Sequence, residues 1–209
     1  MTPDSVALRC RCGAVRGRVD TSLAARRRAG LHVICYCDDC RAYLRAIERD
    51  DLLDRFGGSA LWQTAPARVV IDAGRERIAC LRLSDKGMLR WHSSCCRTPI
   101  GNTLAGAGWP FVGMLRACLD IDAGQADAAF GPATHVNGRR ALGDVSAFAE
   151  PTASLRTIAR TAAFLLRSRL AGRQSPTPFF DAAGRPVVTP RVLSTAERDA
   201  LRARDRVRA

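Results

Sequence analysis

Short alternating runs of apolar and polar residues dominate the first two thirds of the chain. Residues 15–19 alternate valine with arginine and glycine, and residues 67–71 are rich in valine and isoleucine. In residues 77–83, Ile78, Cys80 and Leu81 are interspersed with arginines. Residues 89–91 are placed to pair with that run across Ser84-Asp85-Lys86-Gly87, a hairpin-type connection. Residues 111–119 read as a further strand. Alternation in residues 15–19 and 77–83, and the valine and isoleucine content of 67–71, predict strands. One helix is expected from Asp38 or Asp39 to about Leu53, with the Asp pair placed to cap it.

The period changes after residue 150. Leu155, Ile158, Ala159, Ala162, Leu165, Leu166 and Leu170 recur at steps of three and four, which predicts an amphipathic helix. Thr152 or Ser154 can cap its start and Gly172 its end. A proline-rich stretch, 175–190, follows. Ser194-Thr195-Ala196-Glu197 has capping-box spacing and opens a short arginine-rich helix, after which the last few residues are expected to fray. The pattern predicts a mainly β fold, residues 1–150, with a helical extension, residues 151–209. The boundary is placed near Glu150-Pro151. The apolar stripe of the 155–170 helix is expected to pack on the β-rich part or on a second copy of the chain. Arg156, Arg160, Arg167 and Arg169 beside the stripe also suit a membrane surface, but packing is the commoner fate, so no membrane partner is expected. Oligomeric state is left open.

Composition narrows the class. Of 209 residues, 47% are apolar and 25% charged, which fits a folded chain and excludes a largely disordered one. The formal net charge is +13, and all but one of the 33 basic residues are arginine. Acids are interleaved with the arginines, only 6% of residues are aromatic, and no recognition helix stands out. A solvated basic surface therefore outweighs nucleic acid as the reading of the charge. No apolar run of about 18 residues occurs, so no spanning helix is expected. The first ten residues lack the apolar segment of a secretory leader, and a cytoplasmic location is expected. Thiols there stay reduced, so clustered cysteines read as metal ligands or catalytic groups rather than disulfides.

Seven of the nine cysteines fall into three clusters: Cys10-Arg11-Cys12-Gly13, then Cys35-Tyr36-Cys37-Asp38-Asp39-Cys40, then Cys95-Cys96. Zinc is the metal that thiolates in tetrahedral sets suit best. No cluster alone supplies four ligands, so closure requires clusters distant in sequence. Cys10, Cys12, Cys95 and Cys96 would make one closed site of four sulfurs. Cys35, Cys37 and Cys40 would make a second with one open position, as a catalytic zinc keeps for water or substrate. Two zinc ions are expected on this arithmetic, one structural and one of catalytic type. Cys80 and Cys118 stand alone in strand-like runs and read as buried and inert.

At these residues the sequence resembles the family of glutathione-dependent formaldehyde-activating enzymes, which also includes centromere protein V. The resemblance rests on Cys10-Arg11-Cys12-Gly13, on Cys35 to Arg41, on Cys96-Arg97-Thr98-Pro99, and on Pro132-Ala133-Thr134-His135, with Gly58-Ser59-Ala60 after the second cluster. It covers about residues 7–145. It implies small tent-like β sheets, a structural zinc on the first and third clusters and a catalytic zinc on the middle one. It also implies carbon–sulfur lyase chemistry on a glutathione–formaldehyde adduct. The third cluster departs from the pattern: aligning Thr98-Pro99 puts Cys96 on the second cysteine of the motif and Ser93 on the first. Serine ligates zinc poorly, which leaves Cys95 or, less readily, His92 to complete the set.

The expected function is therefore that of a zinc-dependent carbon–sulfur lyase-like protein acting on a thiol adduct of a small aldehyde. Cys35, Cys37 and Cys40 would form the reactive site. Arginines would suit the carboxylates of a glutathione-type substrate, and Arg41 is the nearest in sequence. The competing reading is a non-catalytic, zinc-stabilised module that binds nucleic acid or another anionic partner. His135 and His32 are placed to serve as a proton carrier and as a support for Cys35, although hydrogen-bonded structural roles are commoner for lone histidines.

Overall fold

In the computed structural model of the chain, which describes residues 4–27 and 29–205, the alternating runs form two sheets. The smaller joins β1 (Ser5–Arg9), β2 (Arg16–Asp20) and β5 (Val69–Ala73) in antiparallel order β1-β2-β5. It is one-sided: Val6, Leu8, Val19, Val69 and Ile71 point inward and arginines point out. Period-two patterning produces this directly.

The larger sheet contains β3 (His32–Cys35), β4 (Ser59–Thr64), β6 (Ile78–Arg82), β7 (Leu89–Ser93), β8 (Pro99–Thr103), β9 (Val112–Leu115), β10 (Thr134–Val136) and β11 (Arg191–Val192). Its order is β10-β3-β4-β9-β8-β7-β6-β11. The inner pairs are antiparallel, and β10 and β11 are added in parallel at the two edges. The inward residues of the small sheet meet Trp62, Trp91, Ile78, Ile100, Val112 and Met114 of the large one to form the main core. A bridge between Leu8 and Leu119 ties the sheets further.

Helix α1 (Leu23–Arg27), α2 (Asp38–Ala46), α3 (Ala123–Phe130), α4 (Leu155–Leu170) and α5 (Thr195–Ala203) fill the connections. Helix and strand occur in comparable amounts, so the chain is a mixed α/β structure; the expected β character holds for the two sheets. α1 and α3 escaped the sequence reading because both are short, and α3 runs AGQADAAF without a clear stripe. α2 stops at Ala46 rather than near Leu53. Glu48 there takes a left-handed φ of 53°, and a 3-10 turn at Asp50–Leu52 follows.

Contacts cross the composition boundary at residue 150. Phe179 and Phe180 pack on Trp91 at ring separations of 5.2 and 6.2 Å. β11 pairs with β6, and α5 lies on α2 through the ion pairs Arg41–Asp205, Arg45–Asp205 and Arg202–Asp39. Two capping expectations are met: Ser154 accepts from Thr157 N, and Ser194 and Glu197 form a capping box. The third is not, because Cys37 is the N-cap of α2, without a side-chain cap bond, and Asp38 and Asp39 lie inside its first turn. The orientation of α4 differs from expectation. Thr157, Phe164 and Ser168 are buried, while Leu155, Ile158, Leu166 and Leu170 face out. Polar bonds hold it that way: Ser154 and Thr157 hydroxyls donate to Glu150 at 2.8 and 2.9 Å, and Thr161 donates to Gln63 at 3.3 Å. Among the described residues no helix is long and apolar enough to cross a membrane. The fraying expected of the last residues falls on 206–209, outside the described residues.

Candidate metal centres

Two turns bring the first and third cysteine clusters together. Cys10 and Cys12 sit in the β1–β2 turn, where Gly13 takes a φ of 75° and donates to Cys10 O at 2.9 Å. That left-handed step lets a tight turn aim both sulfurs the same way. Cys95 and Cys96 sit in the β7–β8 turn, which folds back at Arg97 with a φ of 57°. Arg11 N donates to Thr98 Oγ1 at 2.9 Å and pins one turn on the other.

The sulfurs then lie 3.5 Å apart for Cys10–Cys12, 3.8 Å for Cys10–Cys95, 3.3 Å for Cys12–Cys95 and 4.0 Å for Cys95–Cys96. All four fall within 4.8 Å of one another. Four thiolates at about 2.3 Å from one ion are about 3.8 Å apart at the corners of a tetrahedron. The donor set fits a metal ion. Cys95 fills the place the sequence left open among Cys95, His92 and Ser93. Ser93 lies behind the ligands instead: its hydroxyl is 3.3 Å from Cys96 Sγ, and that of Thr98 is 3.2 Å away. Burial opposes ionisation of Cys96, but these hydroxyl hydrogen bonds outweigh it and bring the thiol down to about 5. His92 points to the other face of β7, edge-on to Tyr43, and burial lowers its pKa.

The middle cluster is built differently. Cys35 ends β3, Cys37 is the N-cap residue of α2, and Cys40 lies in that helix's first turn. Their sulfurs also fall within 4.8 Å of one another. Cys35 and Cys40 are buried and Cys37 is half-buried. The α2 N-terminus directs backbone N–H groups and the positive end of its dipole toward this cluster. Hydrogen bonds from the Cys37 and Cys40 thiols lower Cys35, and the same contacts, with burial, raise Cys40. Three thiols this close can release their protons to a divalent ion, so this set also fits a metal.

Asn137, which the sequence reading missed, donates from Nδ2 to Cys35 Sγ at 3.3 Å. It follows β10, whose Val136 lies beside Cys35, and holds a left-handed φ of 62°. The only trace of it in the sequence is Asn137-Gly138, which reads as an ordinary turn.

The remaining expected site residues do other work. Arg41 is buried: it donates to Tyr36 O at 2.5 Å and to Asp38 at 2.7 Å, and pairs with Asp205 at 3.2 Å. It is therefore spent on the fold and is not free for a substrate carboxylate. His32 points to the face of β3 opposite Cys35, 3.0 Å from Gly131 O, and does not support that sulfur. His135 Nδ1 lies 3.0 Å from the Tyr36 hydroxyl, and its ring meets Phe148 edge-on. Burial and the Asp54 carboxylate push the Tyr36 phenol up to about 12. Cys80 and Cys118 are buried, and burial drives both thiols up, Cys80 to about 12.

Fold and sulfur geometry together define a two-sheet α/β protein with two cysteine clusters, each able to hold a metal ion. The chain belongs to a family described as a family of unknown function, DUF6151, whose model matches residues 2–190 and so takes in all seven clustered cysteines. No curated protein matches the chain.

Proposed function

We propose that both clusters hold zinc, the four-sulfur one as a structural tie and the three-sulfur one as the reactive centre. On this reading the chain is a carbon–sulfur lyase-like protein acting on a glutathione-type thiol adduct of a small aldehyde, in a cytoplasmic setting. The observation that carries it is the difference in donor number. Four sulfurs saturate a tetrahedral ion, whereas Cys35, Cys37 and Cys40 leave one position for an incoming ligand. The resemblance of the cysteine order to formaldehyde-activating enzymes points the same way.

Zinc bound by the three sulfurs would supply the positive charge that keeps a substrate thiol ionised at neutral pH. The chain's own groups supply the rest. Cys37 is the partly exposed member and marks the way in. Asn137 fixes Cys35 and offsets its charge with a donated hydrogen bond. Arg139 and Arg140 lie on the turn after Asn137, and Arg140 reaches Asp38 at 3.6 Å, at the start of α2. These cations replace Arg41 as partners for substrate carboxylates. The chemistry is addition of thiol sulfur to an aldehyde carbon, with a proton delivered to the carbonyl oxygen, or its reversal.

The test is turnover of S-hydroxymethylglutathione by the zinc-loaded protein. Cys37→Ser should remove activity and one zinc of two while leaving the fold intact. Equal turnover in the variant, or none in the wild type with any thiol adduct, rejects the enzyme. With both ions retained, the second outcome leaves the binding-module reading, which salt-dependent retention of DNA would support.

A further inference from the structure

Helix α4 turns its apolar residues toward solvent. Leu155, Ile158, Leu166 and Leu170 are 86, 52, 61 and 80% exposed. At about 100° per residue they fall on one stripe with Ala162, opposite the face that buries Thr157, Phe164 and Ser168. Trp109, 54% exposed, extends the stripe. With Pro110, Leu165 and Leu166 it lines a cavity of about 410 Å³. The guanidinium of Arg169 holds the Gly108 carbonyl and fixes the Trp109 loop to the helix. An apolar patch of this kind marks a surface that meets something.

The surrounding charge says what it meets. Helix α4 carries Arg156, Arg160, Arg167 and Arg169 and no acidic residue. Along one edge of the stripe, Arg160 and Arg167 join Arg26 and Arg27 around a second cavity of about 470 Å³. The one acid lining it, Asp127, lies 3.4 Å from His32. Among the described residues these four guanidinia have no carboxylate partner, and Nε of Arg26 is buried without a hydrogen bond. A second copy docking stripe on stripe would bring two such helices together with no acid on either to neutralise them. An anionic lipid surface satisfies both features at once: the stripe and Trp109 enter the acyl boundary while the arginines meet headgroup phosphates.

We propose that α4 and the Trp109 loop form a docking face for an anionic lipid surface, with the Arg26, Arg27, Arg160 and Arg167 cleft receiving lipid phosphate. This reverses the expectation of a covered helix and no membrane partner, and it is independent of the metal chemistry.

The test is co-sedimentation of the full chain with vesicles of phosphatidylcholine alone and of phosphatidylcholine mixed with phosphatidylglycerol. Retention should be at least about tenfold stronger on the anionic vesicles and should weaken with salt. Leu166→Glu with Leu170→Glu should abolish it. Arg160→Glu with Arg167→Glu should reduce it about tenfold or more. All four residues are exposed, so melting temperature and zinc content should stay at wild-type values in both variants. No retention, or equal retention on neutral vesicles, overturns the proposal. So does binding of inorganic phosphate or pyrophosphate in the cleft without vesicle binding, which would assign the cleft to a free anion. A dimer in sedimentation that Leu166→Glu with Leu170→Glu dissolves would assign the face to a second copy and equally overturn it.

Discussion

The two cysteine clusters invert the usual link between coordination and exposure. The four-sulfur set, complete in itself, sits partly in solvent, with Cys12 and Cys95 exposed. The three-sulfur set, which leaves a position open, is the more enclosed, with Cys35 and Cys40 buried. A saturated ion needs no protection from water because no further ligand can enter. An unsaturated one needs enclosure, so that what fills its last position is selected by the protein rather than by bulk solvent. The clusters also differ in what they join. One pins two hairpin turns from different sheets, so its loss separates layers of the fold. The other sits at a strand end and a helix start, held by the chain around it.

The sharpest way to break this comparison is Cys10→Ser. Cys10 is buried, and its sulfur lies against both Cys12 and Cys95. Loss of the tie between the turns should cost about 4 kcal/mol or more and release a metal ion, read by thermal melting and elemental analysis. If stability is unchanged, this cluster is not the structural one. Next in size, Cys40→Ser should lower metal content from two ions to one with melting much less affected; a collapse of the fold equal to that of Cys10→Ser would erase the distinction. Asn137→Gly is milder, since glycine keeps the left-handed backbone while removing the donor to Cys35. It should weaken metal binding at the three-sulfur set about tenfold and leave the other set unchanged, as competition with a chelator would read. The smallest effect is expected from Ser93→Ala, which removes one of two hydroxyls at Cys96. A weakening of the four-sulfur set of severalfold, about tenfold at most, is expected. A shift at the three-sulfur set instead would contradict the separation of the two.

Much of this was legible because cysteine spacing is local chemistry. The pairing of clusters followed from counting ligands, and the β6–β7 hairpin and the caps of α4 and α5 followed from turn and cap residues. What stayed hidden was set by distant contacts. Pro99-Ile100-Gly101-Asn102-Thr103 carries no alternating or continuous apolar run to predict a strand, yet it is a fully buried strand because β7 and β9 flank it on both sides. The end of α2 is marked by Glu48 in a conformation that glycine usually signals. Asn137 looks like turn chemistry until β10 is laid beside β3. The stripe of α4 gave the helix but not its orientation, because Glu150 and Gln63, which hold its polar face, lie outside it.

Asp205 stands fifteen residues beyond the last position matched by the family model. Its carboxylate faces Arg41 at 3.2 Å and Arg45 at 2.7 Å, both side chains of which are almost wholly shielded from water. Those arginines belong to the helix that presents Cys40. A protein trimmed to the matched span would lose this carboxylate, leaving Arg41 with Asp38 and the Tyr36 carbonyl and taking from Arg45 its Leu201 carbonyl as well. The tail beyond the matched span thus covers and neutralises the buried arginines of the helix that carries Cys40.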